Sequence, residues 1–161
     1  MPLPVSLDEV ASEMNLQSDL VRAYINKATG EVISITDEEK RLAERGDDDV
    51  DVSGWMRDVL PKVREVMESE SFLALPSKRD IHEYKIMEAF CESVEPDEQR
   101  AQLLDAIRGK GAFSRFRRTS ERLGVRHDWY SYRDAALRRK AARWLNAHGI
   151  PYFEENGETP L

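Results

Sequence analysis

The sequence holds a single cysteine, Cys91, in 161 residues. No disulfide can close within the chain, which excludes the small disulfide-stapled folds and suits a reducing compartment. No apolar run approaches the roughly 20 residues that a membrane-spanning helix requires, so no membrane partner is expected. The opening M-P-L-P-V-S-L-D-E-V lacks a basic stretch followed by an apolar one, so no secretory signal is read there. A soluble, cytoplasmic protein is the expectation. Only three histidines occur. His82-Glu83 begins like a zinc-protease helix, but Ile86 stands where a second imidazole would have to share the helix face, so that motif fails. Also absent are the Gly-x-Ser-x-Gly elbow, the P-loop and the Gly-x-Gly-x-x-Gly phosphate cradle. These absences count against nucleophilic hydrolases and dinucleotide enzymes, and no cofactor is expected.

Charge is plentiful but unevenly placed. The chain is 34% charged and carries a net charge of −7. Residues 1–107 contain 12 basic and 25 acidic side chains, whereas residues 108–143 contain 12 basic and 3 acidic ones. So steep an asymmetry either folds back on itself or faces a partner.

Apolar periodicity sets the expected elements. Ser6 and Glu9 form a capping box ahead of a stripe of Leu7, Val10, Ala11 and Met14, which predicts a short helix. Val21, Ala23 and Ile25 alternate, Gly30 supplies a turn with positive φ, and Ile33 and Ile35 return, predicting a β-hairpin. A short exposed helix is expected from Thr36 or Asp37 to Gly46, then an acidic loop over 47–51. Trp55, Met56, Val59, Leu60, Val63, Val66 and Met67 mark a helix that Pro61 kinks or restarts. Phe72 to Pro76 reads as a candidate third strand. A helix from Ser77 or Asp80 to Val94 carries Ile81, Tyr84, Met87, Phe90, Cys91 and Val94 inward. Pro96 suits the start of the next helix, which Gly109 and Gly111 break. A helix over Phe113–Leu123 stops at Gly124, and a long one runs from near Asp128 to Gly149. The expected fold is therefore α+β and mainly α-helical, a small N-terminal antiparallel hairpin followed by a helical C-terminal bundle. Its parts are residues 1–75, residues 76–150 and a tail over 151–161, expected as one compact unit.

Three segments together resemble a bacterial family known as uncharacterised protein family 0158. They are L-P-S-K-R-D-I-H-E-Y-K-I-M-E-A-F at 75–90, A-I-R-G-K-G-A-F-S-R-F at 106–116, and D-W-Y-S-Y-R-D-A-A-L at 128–137 with W-L-N-A-H-G-I at 144–150. The hairpin's T-G-E-V-I at 29–33 is similar as well. The resemblance implies a soluble bacterial protein and brings no activity and no catalytic residue.

The candidate site is the basic segment. Arg108, Lys110, Arg115, Arg117, Arg118, Arg122, Arg138, Arg139 and Arg143 are the residues expected to meet an acidic partner. On the helix from Phe113, Arg115, Arg118 and Arg122 share one face, while Phe113, Phe116, Ser120 and Leu123 share the inner one. The bland alternative is that these arginines pair with the acidic helices of residues 1–107, in surface ion pairs worth about 0–1 kcal/mol each. Asp49, Asp51, Ser53 and Gly54 match the first half of a calcium loop, but Leu60 stands where a bidentate glutamate is required, so no metal site is expected. Cys91 is expected on the inner stripe and His82 beside it, Trp129 and Trp144 within the core, with Tyr130 or Tyr132 reaching the surface. The reading is a non-enzymatic binding or regulatory protein whose basic face meets an acidic protein surface, a second copy included. Nucleic acid is the alternative partner, and a metal-assisted phosphodiesterase using Asp49 and Asp51 the lesser one.

Overall fold

Ser6, placed by its hydroxyl, starts the first helix: it accepts from Glu9 N at 3.2 Å. In a computed structural model describing residues 4–44 and 54–154, Val5–Ser6 (β1) leads directly into Leu7–Leu16 (α1), whose Leu7, Val10, Ala11 and Met14 are buried as their spacing predicts. Val21–Asn26 (β2) and Val32–Thr36 (β3) form the antiparallel hairpin, in register from Val21↔Thr36 to Ile25↔Val32. Its turn is held by Asn26, whose side-chain carbonyl accepts from Ala28 N and Thr29 N, and by Gly30 at φ 82°. Thr36 and Glu39 cap each other reciprocally at the start of Asp37–Glu44 (α2). Only Ala43 of that helix is buried, in keeping with its one narrow apolar edge.

Gly54–Glu68 (α3) runs on through Pro61, which is exposed, so the helix does not restart there. Phe72–Ala74 (β4) is indeed a strand. It pairs antiparallel with β2, giving the sheet order β3-β2-β4. Ile35, Ala43, Leu60, Val63, Val66 and Phe72 pack into one core cluster beside this sheet. The fold is thus mainly helical α+β with an antiparallel three-stranded sheet. The half calcium loop at Asp49, Asp51 and Ser53, the cap position Gly46 and the side chains of Trp55 and Met56 lie outside the described residues.

The chain divides into two compact units, Met1–Ile81 with Lys140–Leu161, and His82–Arg139. The first includes Lys78–Ile81 (α4), opened by Ser77 and Asp80 in mutual hydrogen bonds. The second unit begins with a departure from the expected single helix over 77–94. His82 has φ 57° and ψ 59°, and Glu83–Ser93 (α5) starts afresh after it. The helix is interrupted at this left-handed residue, yet Ile81, Met87, Phe90, Cys91 and Val94 are buried as their spacing predicts. Ile86 is buried too, while Tyr84, expected inward, is 41% exposed. His82 itself is exposed and not part of the core edge.

A left-handed conformation costs a non-glycine residue about 1–2 kcal/mol, against the roughly 0.5–1 kcal/mol of extra chain entropy that glycine loses on folding. His82→Gly is therefore expected to hold or raise stability by up to about 1 kcal/mol. Chemical denaturation checks this, and a clear loss in the glycine variant would contradict the strain assigned to His82.

Asp97–Ala106 (α6), Ala112–Arg122 (α7) and Arg126–Ala147 (α8) follow, the last residues of α8 belonging to the first unit. In the second unit Met87, Phe90, Cys91, Val94, Leu103, Ile107, Ala112 and Phe116 form the core, with Trp129 and Tyr132 packed on it. In the first, Tyr152–Phe153 (β5) pairs in parallel with β1, Val5 opposite Tyr152. No helix among the described residues is long and apolar enough to cross a membrane.

Candidate functional site

Between α6 and α7 the chain turns through Gly109 and Gly111, both at positive φ. The last carbonyls of a helix have no partners within it, and here one side chain meets the final one of α6 together with two carbonyls of the turn. Arg115 donates from Nε to Ala106 O at 2.9 Å, and from its two terminal nitrogens to Lys110 O and Arg108 O. Tyr84 adds a hydrogen bond from its hydroxyl to Ile107 O at 2.8 Å. A Cβ on Gly111 would stand 3.1 Å from the Arg115 guanidinium, so glycine suits this position for space as well as for φ. Arg115, one of the nine arginine and lysine residues expected to bind a partner, is thus occupied in closing its own junction.

The remaining basic residues of the second unit fall on separate surfaces. On one side of α7, Arg117, Arg126 and Arg133 line a recess of about 200 Å³ together with Glu83, Phe113 and Tyr130. Glu83 pairs with Arg133, and both are mostly buried. Arg126 donates to Tyr130 Oη at 3.3 and 3.4 Å and lies 5.6 Å from that ring's centre. Arg117 and Arg126 are exposed and make no ion pair among the described residues. On the other side, Arg115, Arg118 and Arg122 line a second recess of about 470 Å³ with Gln102 and Asp105. Arg122 donates to Gln102 Oε1 at 2.9 Å, and exposed Arg118 has no ion pair there. Arg108 and Lys110 sit exposed in the turn, Arg138 and Arg139 lie farther along α8, and Arg143 belongs to the first unit.

Phe113 departs from expectation. Phe116 and Ser120 are buried with Ala112, but Phe113 is 48% exposed. Ala112, Phe116 and Ser120 recur every four residues and define the inner line of α7; Phe113 is rotated from Phe116 by about 60° at 100° per residue. Its ring meets Tyr84 edge-on at 6.5 Å. Tyr130 is 47% exposed, whereas Tyr132 and Trp129 pack partly on the core. The recess therefore mixes two arginines without carboxylate partners among the described residues and two open aromatic rings.

Arg126, Tyr130 and Arg133 were not among the residues the sequence singled out for binding. A signal existed. Arg126, Trp129, Tyr130 and Arg133 fall at i, i+3, i+4 and i+7, which is one face of α8.

Cys91 is fully buried, and burial pushes its thiol up to about 11, so at neutral pH it is a protonated, packed side chain. The His148 ring lies 4.2 Å from that of Trp144, and His127 is exposed at the start of α8. Among the described residues no three His, Cys, Asp or Glu side chains converge as metal ligands would. A protein-family model described as Uncharacterised protein family (UPF0158) matches residues 1–160. No curated protein and no solved structure matches the chain.

Proposed function

The chain belongs to the uncharacterised family UPF0158, a membership that carries no activity with it, and from its own geometry we propose a non-enzymatic binding protein of the bacterial cytoplasm. Its arginine-bearing α7, with the start of α8, meets an acidic protein surface. The observation that carries this reading is one recess in which exposed Arg117 and Arg126, without ion pairs among the described residues, stand beside exposed Phe113 and Tyr130. Arginine and aromatic residues are the types enriched where proteins meet, because they bury large areas and still present polar edges. An arginine beside a carboxylate of the partner gains a charge-assisted, often bidentate hydrogen bond. The acidic excess of residues 1–107 makes a second copy of the chain one surface of this kind.

A nucleic acid fits less well. Glu83 lies in the recess on one side of α7 and Asp105 in the recess on the other. A phosphate backbone crossing the helix would meet the exposed Asp105 carboxylate on one flank and, on the other, a Glu83 already paired with Arg133.

Fluorescence anisotropy with a labelled glutamate-rich peptide containing tryptophan, run beside single-stranded RNA and duplex DNA over a salt series, tests the reading. The peptide is expected to bind, and Arg117→Glu with Arg118→Glu to weaken it at least about tenfold. Tighter binding of RNA or DNA, with a steep salt slope, would favour the nucleic-acid alternative. A double variant that binds the peptide like the parent overturns the proposed surface.

A further inference from the structure

The first unit contains a cationic recess of its own, of about 400 Å³, walled by Arg22, Lys140, Arg143, Trp144, Pro76 and Asp80. Arg22 is half-buried on β2, and its guanidinium is held in place. Nε donates to Gln17 Oε1 at 3.2 Å and a terminal nitrogen donates to Leu75 O at 3.1 Å. Gln17 is buried and is itself fixed, donating to Met14 O and Pro76 O and accepting from Ala23 N. Arg22 is thereby oriented by neutral groups and makes no ion pair with any described carboxylate. Lys140 is half-buried, Arg143 is exposed, and the two stand three residues apart on one face of α8, again without ion pairs among the described residues. Asp80 is the single acid of the wall, and its carboxylate accepts from Ser77 N at 3.0 Å in the helix cap.

Three cations gathered in one recess against a single, already hydrogen-bonded carboxylate repel one another, and that repulsion is relieved when an anion enters. A guanidinium with donors left over, held rigid by its neighbours, is the kind of group that binds phosphate or carboxylate in a fixed geometry. The volume lies within the range of small-molecule sites, about 300–1,000 Å³, and leaves room beyond a bare phosphate. Trp144 supplies an aromatic wall suited to a flat ring. We propose that this recess binds a small anion carried on a flat ring, the chemistry of a nucleoside monophosphate, through Arg22, Lys140 and Arg143 with Trp144 alongside.

Calorimetric titration of the full chain with adenosine and guanosine monophosphates, inorganic phosphate and uncharged adenosine tests it. At least one monophosphate is expected to bind, inorganic phosphate to bind at least about tenfold more weakly, and adenosine not to bind. Lys140→Met with Arg143→Glu alters outer residues of α8, so it keeps the test open should Arg22→Met fail to fold. That double variant should weaken the monophosphate at least about tenfold. Quenching of tryptophan fluorescence on binding should disappear in Trp144→Phe. No heat from either monophosphate, or unchanged binding in the Lys140 and Arg143 double variant, overturns the site. Arg117→Glu with Arg118→Glu separates this recess from the α7 surface: the monophosphate titration should persist in that variant, and its loss would assign the anion to α7 and overturn the proposal.

Discussion

Phe90→Ala is expected to cost about 3–5 kcal/mol, the range for removing a buried phenyl ring from a packed core. Phe90 is 4% exposed on α5 and stands at the centre of the second unit's aromatic cluster. Its ring centre lies 6.1 Å from Phe116, 5.4 Å from Trp129 and 5.4 Å from Tyr132. Phe116 and Trp129 also meet edge-on at 5.0 Å. These rings come from three helices, α5, α7 and α8, so one truncation opens a void that no single helix can close by sliding. Folded proteins of ordinary size hold about 5–15 kcal/mol in all, so the loss is about a fifth of the total or more. Urea denaturation followed by tryptophan emission measures it, since Trp129 is in the cluster. Phe90→Leu should lose markedly less, because it keeps part of the volume. A loss below about 1 kcal/mol for the alanine variant would show that the cluster is not where this unit's stability resides.

The parts of the fold that could be read in advance are those in which one local pattern decides the outcome. Ser6 with Glu9 and the stripe behind them define α1, and the alternation around Gly30 defines the hairpin. The break at His82 could not be read. The apolar residues around it continue without interruption, and nothing in histidine itself forces a positive φ. The strands Val5–Ser6 and Tyr152–Phe153 were invisible for another reason: two residues are too few for any period, and they pair only because folding brings two segments distant in sequence together. At the candidate site, the concentration of arginine in 108–143 was evident. Which arginines are available was not. Arg115 is taken by three backbone carbonyls, a role that depends on where α6 stops and Gly111 turns. Phe113 could not be assigned by spacing alone, since an offset of one position in the inner line moves it from core to surface. Arg22 and Arg143 belong to opposite ends of the sequence, and only folding brings them to one recess.

The largest polar effect is expected at Gln17, which is 3% exposed. An amide side chain has two donor hydrogens and an acceptor oxygen with two lone pairs, and here all four are matched. Nε2 donates to Met14 O at 3.3 Å and to Pro76 O at 2.6 Å, while Oε1 accepts from Ala23 N at 3.0 Å and Arg22 Nε at 3.2 Å. The side chain thereby ties the end of α1 to β2 and to the segment leaving β4. Gln17→Leu keeps the approximate volume but leaves the buried Ala23 N–H without its acceptor and Pro76 O without this donor. Each such unmatched group costs about 1–3 kcal/mol, so a loss of about 3 kcal/mol is expected. In a chain of this length that corresponds to a fall in Tm of about 6–12 °C. Leu16→Gln, next door on the exposed end of the same helix, should change Tm little. If Gln17→Leu costs less than about 1 kcal/mol, the four hydrogen bonds are replaceable by water and the segment is looser than its geometry implies. The same substitution also releases Arg22 from its orienting partner. A folded Gln17→Leu protein should therefore bind a nucleoside monophosphate more weakly than the parent, even though residue 17 adds no charge to the recess.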